Sequence, residues 1–226
     1  MESHKKTAIL LFAESTKIQA EKKHLLQDRN QNFALVQHFR DQSLKEIKKS
    51  GLDYFHFDET AQYGCSFAQK LAAATESVFL KGYDRIIVVG SDSPDLSTKD
   101  LWNAQKLLET RDIVLGPDLR GGVYLIALNK KSFIKGSFQE LLWQSKALRR
   151  SFREYARSFS FSVSWLRAKA DFNASSELVT YWNLSSSVRK LLNQISGLLQ
   201  YVDRRREHDF AFLPVTSHSR RGPPVY

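Results

Sequence analysis

A carboxylate at the end of a buried strand is well placed to meet a metal–phosphate pair, and Gly90-Ser91-Asp92-Ser93-Pro94-Asp95 offers one. Asp92 there could hold Mg²⁺ or Mn²⁺, hard ions that use one or two carboxylates and complete their shell with substrate phosphates. It could equally cap the amides of a turn that Pro94 stiffens. Three further stretches have similar dual readings. In Gly116-Pro117-Asp118-Leu119-Arg120-Gly121-Gly122, the paired glycines allow positive φ or a close approach of backbone to ligand, or simply make a turn. Asp171-Phe172-Asn173 supplies a second metal carboxylate or a helix cap. Gln62-Tyr63-Gly64 precedes a helical pattern and contacts a base or phosphate, or is an ordinary loop.

Other chemistries are missing. No G-x-x-x-x-G-K, G-x-G-x-x-G or G-x-S-x-G pattern occurs. The 6 histidines have no metal-ligand spacing, and Cys65, the 1 cysteine, excludes an internal disulfide and a thiolate zinc cluster.

The candidate residues need elements to position them. Thr7–Ala13, Asp53–Asp58, Arg85–Val89, Asp112–Leu115 and Val123–Leu128 read as strands, and uninterrupted apolar strands belong in a sheet covered on both faces. Between them, Phe33–Lys49 (Phe33, Val36, Phe39, Leu44, Ile47 on one face), Phe67–Leu80 and Ser97–Leu108 read as helices. Ser97 and Asp100 form a near capping box, and Gly82 stops the second helix. This alternation predicts an α/β fold with a mostly parallel sheet, whose ligands bind beyond the carboxyl ends of the strands. After residue 130 helices dominate, with one more strand at Ser160–Leu166 and a helix through Glu177. A helical stripe from Val188 to Val202 is expected to dock on its own domain in preference to forming a dimer seam, and the polar, basic residues from Asp203 are expected to form a loose tail. The expected division is a domain over residues 1–184, an amphipathic helix over 185–203 and a tail over 204–226.

The chain of 226 residues is long enough for a substantial core without staples. Its net charge of +10 is unevenly placed: residues 1–129 hold 17 basic and 17 acidic side chains, and residues 130–226 hold 17 and 7. Arg149, Arg150, Arg153 and Arg157 at helical spacing, with Phe152 and Tyr155 interleaved, could bind nucleic acid or form a solvated basic face; the second is preferred. The longest apolar runs are too short to span a bilayer, and the N-terminus lacks a signal peptide's apolar region. The expectation is a soluble, cytoplasmic protein.

Together, the order GSDSPDL, then IVLGP with GG and YLIAL, then Trp143 and the late Asp-Phe-Asn, resembles the bacterial radical-SAM/selenodomain-associated transferases. These are glycosyltransferase-like proteins of the GT-A nucleotide-diphospho-sugar transferase fold, distantly like the guanylyltransferases of molybdopterin and deazaflavin-cofactor synthesis. The resemblance runs from about Thr7 to Trp182 and is specific from about Gln62 to Leu128. It implies a central, mostly parallel sheet with one antiparallel insertion near Val123–Leu128 and a helical C-terminal extension. It implies a glycosyl- or nucleotidyltransferase that takes a nucleotide sugar or nucleoside triphosphate, with Mg²⁺ or Mn²⁺ on the diphosphate. Asp92 and Asp171 would be the metal ligands, and Gln62 and Gly64 would lie near the nucleotide. Lys17 or Arg120 would contact phosphate beside Gly121 and Gly122, and Asp118 is the candidate base. The acceptor and the oligomeric state stay open.

The chain departs from that pattern twice. The glycine-containing phosphate loop after the first strand is here Glu14–Leu25, without glycine, leaving Lys17, Lys22 and Lys23 as cations. The Asp-Gly-Gly of the family is Arg120-Gly121-Gly122, a cation for a carboxylate. These losses motivate an alternative, a non-catalytic nucleotide-sugar-binding or scaffold relative; nucleic-acid binding through the basic portion is a further one.

Overall fold

The computed structural model describes residues 5–181. The predicted stripe at Val188–Val202 and the tail beyond Asp203 lie outside the described residues. Six strands form one sheet in the order β2-β1-β3-β5-β4-β6. They are β1 (Thr7–Phe12), β2 (Asp53–Phe57), β3 (Arg85–Val89), β4 (Ile113–Pro117), β5 (Val123–Asn129) and β6 (Val163–Trp165). Only β5 runs against its neighbours, β3 and β4, so the sheet is mostly parallel with the expected antiparallel insertion.

Alternation along the strands sends apolar side chains to both faces, which is why these runs carry no polar stripe. Leu10, Ile86, Leu115 and Ile126 face one core; Ile9, Leu11, Ile87 and Val114 face the other. The first core is closed by α3 (Phe67–Leu80), α5 (Lys135–Gln139) and α6 (Leu148–Ser158), through Leu71, Phe138 and Phe152. The second is closed by α2 (Arg29–Lys49) and α4 (Thr98–Leu107), through Ile47, Leu101 and Ala104. The capping box at Ser97 and Asp100 is present and fixes the start of α4.

A third cluster lies at the sheet's carboxyl edge. Leu25, Leu26, Leu35, Val36 and Phe39 enclose Ala170, Phe172 and Leu178. Leu178 belongs to α7 (Ser175–Tyr181). The predicted stripe on α2 is corrected here. Phe33 is exposed, and Leu35 takes the buried place beside Val36, because the helix starts at Arg29 behind its cap Asp28 and turns that face toward the third cluster.

The other elements differ mainly at their ends. The stretch after β1 folds as α1 (Thr16–Lys22). The predicted strand at Ser160–Leu166 narrows to β6, although Leu166 N still donates to Leu115 O (2.8 Å) and Lys169 N to Pro117 O (3.1 Å). That continued register beside β4 carries the chain to Asp171. Among the described residues no helix is long and apolar enough to cross a membrane.

On α6, Arg150, Arg153 and Arg157 are exposed, but Phe152 and Tyr155 are buried in the core. The aromatics between the arginines are therefore packing residues. Arg153 lies over the Trp165 ring at 5.1 Å, and Arg150 pairs with Glu154 at 3.7 Å.

Candidate functional site

The loop after β3 places Asp92 at the carboxyl edge, beside the end of β1 and the start of β5. A Cβ on Gly90 would meet nothing within 4 Å, so this glycine keeps open space beside the cavity it lines. Two segments from opposite ends of the fold converge on Asp92. Phe172 N donates to Asp92 O (3.0 Å), and Ser93 Oγ donates to Asp171 Oδ1 (2.8 Å). Asn173 Nδ2 donates to the other oxygen of Asp171 (3.0 Å). From the other side, Lys23 Nζ pairs with Asp92 Oδ1.

Asp171 does not cap the helix that follows it. Glu177 reaches back instead, accepting from the backbone N–H of Asn173 (2.6 Å) and Ala174 (3.1 Å). That leaves Asp171 to face Asp92. Burial first, and then the negative charge of Asp92, push its carboxyl up to about 7, against the pull of the Ser93 hydrogen bond and Lys23. Asp118 adds further repulsion.

Asp118 and the glycines form the loop of the β4–β5 hairpin. Asp118 Oδ1 accepts from Arg120 N (2.7 Å) and Gly122 N (2.8 Å), and its own N–H donates to Gly122 O (3.0 Å). Both glycines are required. Gly121 sits at φ +110°, where a Cβ would come within 2.6 Å of Lys146 O, and a Cβ on Gly122 would collide with Asp118 Oδ2. The Arg120 guanidinium pairs with the buried Glu177.

Two connected cavities flank this cluster and share Phe67, Asp92, Val123 and Asp171. The inner one, about 170 Å³, is walled by Phe12, Phe67, Leu71 and Trp143. The outer one, about 520 Å³, has a mixed wall, with Asp118, Arg120, Lys146 and Asn173 beside Phe67 and Val123.

The structure therefore brings together Asp92, Asp171, Asp118, Arg120 and Gly122, with Gly121 in the same loop. Gln62, Gly64 and Lys17 line neither cavity. Gln62 Nε2 donates to Phe57 O (3.0 Å) at the end of its own strand, Gly64 turns at φ +137° ahead of α3, and Lys17 is exposed on α1. Lys23 lines neither cavity either, but it is the lysine of that segment that reaches Asp92. Asn173, Lys146, Glu177 and the aromatic wall were not singled out as site residues by sequence reasoning. Glu177, four residues after Asn173 at a helix start, had a readable capping signal; Lys146 had none.

The donor set fits a hard divalent ion that shares its shell with phosphate. Asp92 and Asp171 are paired carboxylates whose mutual repulsion a cation would relieve, with the Ser93 hydroxyl beside them. Among the described residues no group of three or more His, Cys, Asp or Glu gathers as a metal cage.

Sheet order, antiparallel β5 and a cleft at the carboxyl edge define a protein of the nucleotide-diphospho-sugar transferase-like fold. A crystal structure from Desulfovibrio desulfuricans G20, described as a candidate nucleotide-diphospho-sugar transferase, aligns with a TM-score of 0.74 and 22% identity, over 86% of this chain and 97% of that one. The chain belongs to the DUF2064 family, described as an uncharacterized protein conserved in bacteria, which matches residues 27–145. CMP:2-keto-3-deoxy-manno-octonic acid synthetase, solved with CTP, aligns at a TM-score of 0.45 and 10% identity over 79% of this chain and 98% of its own. Rv0371c from Mycobacterium tuberculosis H37Rv, solved with manganese, aligns at 0.44 and 15% over 76% and 95%. The likeness to the first is one of fold, and the other two are too remote to bear on the site. No curated protein matches the chain.

Proposed function

We propose that this chain is a transferase for a nucleotide-activated donor, binding the donor's diphosphate in the outer cleft with a divalent ion between Asp92 and Asp171. The observation that carries the reading is the convergence of these two carboxylates, one after β3 and one after β6, on a cleft at the carboxyl edge whose wall includes Arg120 and Lys146. When bound, the ion would neutralise charge on the leaving nucleoside diphosphate. The chain's own part is to orient. Ser93 and Asn173 fix both oxygens of Asp171, and the 118–122 loop holds Arg120 at the cleft wall. Asp118 is the candidate base through Oδ2, since Oδ1 closes the loop. The motif likeness to the radical-SAM/selenodomain-associated transferases favours a glycosyl or nucleotidyl group, and product analysis separates the two.

Calorimetric titration of UDP-, GDP- and CTP-type ligands with and without Mn²⁺ tests the reading. Binding should need the ion and fall at least tenfold, about 1.4 kcal/mol, in Asp92→Ala. Binding unchanged in that variant would sink the metal role.

A second reading, a binding protein without turnover, is favoured by one observation: both cations nearest the carboxylates are already neutralised by the chain, Lys23 by Asp92 and Arg120 by Glu177. Metal-dependent donor hydrolysis that disappears in Asp92→Asn would eliminate it.

A further inference from the structure

The segment after β1 is built to deliver a cation to Asp92. Its connection to α2 is locked by one buried side chain, Asn32. The Asn32 amide donates to Ala20 O (2.9 Å) and Lys23 O (2.8 Å), while its carbonyl accepts from Leu25 N (2.9 Å) and Leu26 N (3.2 Å). All four polar contacts go to the backbone around Lys23. Leu25 and Leu26 then anchor the turn in the third cluster. The backbone of Lys23 is fixed, and the motion left to the residue is rotation of its side chain. That side chain is only 16% exposed, and its ammonium rests on Asp92 Oδ1.

A divalent ion on Asp92 needs the same carboxylate. A metal–oxygen bond is about 2.0–2.1 Å for Mg²⁺, so an ammonium hydrogen-bonded to that oxygen would crowd the ion and repel it in a shielded site. The two cations compete for that carboxylate. A donor diphosphate changes the balance by offering the ammonium another anion within reach of its flexible stem.

We infer that Lys23 is a tethered counter-ion that competes with the divalent ion for Asp92 and yields it when phosphate arrives, so that metal and diphosphate binding are coupled through this lysine. Lys23 is thus a positioning residue, setting the order in which the site fills. The inference rests on the metal reading of Asp92 and Asp171 given above.

The test is Mn²⁺ binding to the full chain without phosphate, read from the free-ion EPR signal. Lys23→Met should bind Mn²⁺ on the order of tenfold more tightly than wild type, within the range usual for coupled sites. Lys23→Arg, which keeps the charge, should bind as weakly as wild type. Circular dichroism and urea midpoints confirm that each variant is folded. Equal or weaker binding in Lys23→Met overturns the inference. If wild type and Lys23→Met bind alike, and Asp92→Ala abolishes binding in both, the metal reading stands and only the role of Lys23 falls. If none of the folded variants binds Mn²⁺, either alone or with inorganic pyrophosphate added, both fall together.

Discussion

Two arms of the chain reach the Asp92 loop, and they are held by different mixtures of polar contact and apolar burial. The first, residues 14–26, brings a cation; Leu25 and Leu26 are buried, and the backbone around Lys23 is fixed by polar contacts to Asn32. The second, residues 166–178, brings a carboxylate and is fixed by apolar anchors, Phe172 and Leu178, each 0% exposed. Both lean on the same face of α2. The difference separates two tasks. Apolar burial is non-directional and strong, which suits seating a whole segment so that Asp171 meets Ser93. Hydrogen bonds to one buried amide fix a backbone in a single geometry while leaving the lysine side chain free to move.

The comparison is broken most easily at the apolar anchor. Phe172→Ala removes a fully buried ring that also packs against Phe39, with centroids 5.7 Å apart. It should cost about 3–5 kcal/mol, the range for buried Phe truncations. The urea midpoint should fall with little change in slope. A loss below about 1 kcal/mol would mean that the second arm is held by its polar contacts instead.

Asn32→Leu comes next. It strands two N–H groups and two carbonyls around Lys23 in a buried turn, and each unpaired group costs about 1–3 kcal/mol unless it finds water. A net loss of about 2–3 kcal/mol is expected. Amide exchange at Leu25 and Leu26 should accelerate strongly while the β3 amides stay protected. Uniform acceleration across both would show that the turn is not a separate unit.

The two arms also differ in how far they could be read from the residues. The region Arg85–Leu128 was legible because strand chemistry and turn chemistry agree there. An uninterrupted β-branched run leads to a Gly-Ser-Asp-Ser-Pro turn, and a Gly-Gly hairpin loop joins two apolar strands. Asp92 follows that strand directly, whereas its pairing with Asp171 comes from the family resemblance, since spacing alone leaves capping open for each. The first arm was opaque. Glu14–Leu25 lacks the glycine that a phosphate loop needs, and its short helix α1 has no side-chain cap to announce it. Its order depends on Asn32, a residue in the next helix, whose exchange of local for tertiary hydrogen bonds leaves no periodic mark. Choosing Lys23 over Lys17 required knowing where that helix ends. The exposed Phe33 shows the same limit: an apolar residue at the correct interval faces solvent because the neighbouring register packs against Phe172.

The smallest effect is expected at the root of the second arm, and acid reveals it. Before β6, Asp112 Oδ2 accepts from Ser162 N (2.9 Å) and Ser162 Oγ (2.7 Å), and its Oδ1 pairs with Lys131 (2.6 Å). Burial alone would raise this carboxyl, but the Lys131 and Ser162 contacts outweigh it and hold the group below its ordinary value of 3.8. A depressed value in the folded state means that the ionised form stabilises the fold. The contribution is complete above the unfolded value and fades as pH falls through the folded one. Asp112→Asn should therefore cost about 1 kcal/mol near pH 7, where a charge-assisted contact becomes a neutral one. The wild-type and variant stability curves should converge as pH falls below 3.8. Curves that stay parallel through that window would place the carboxylate's contribution elsewhere.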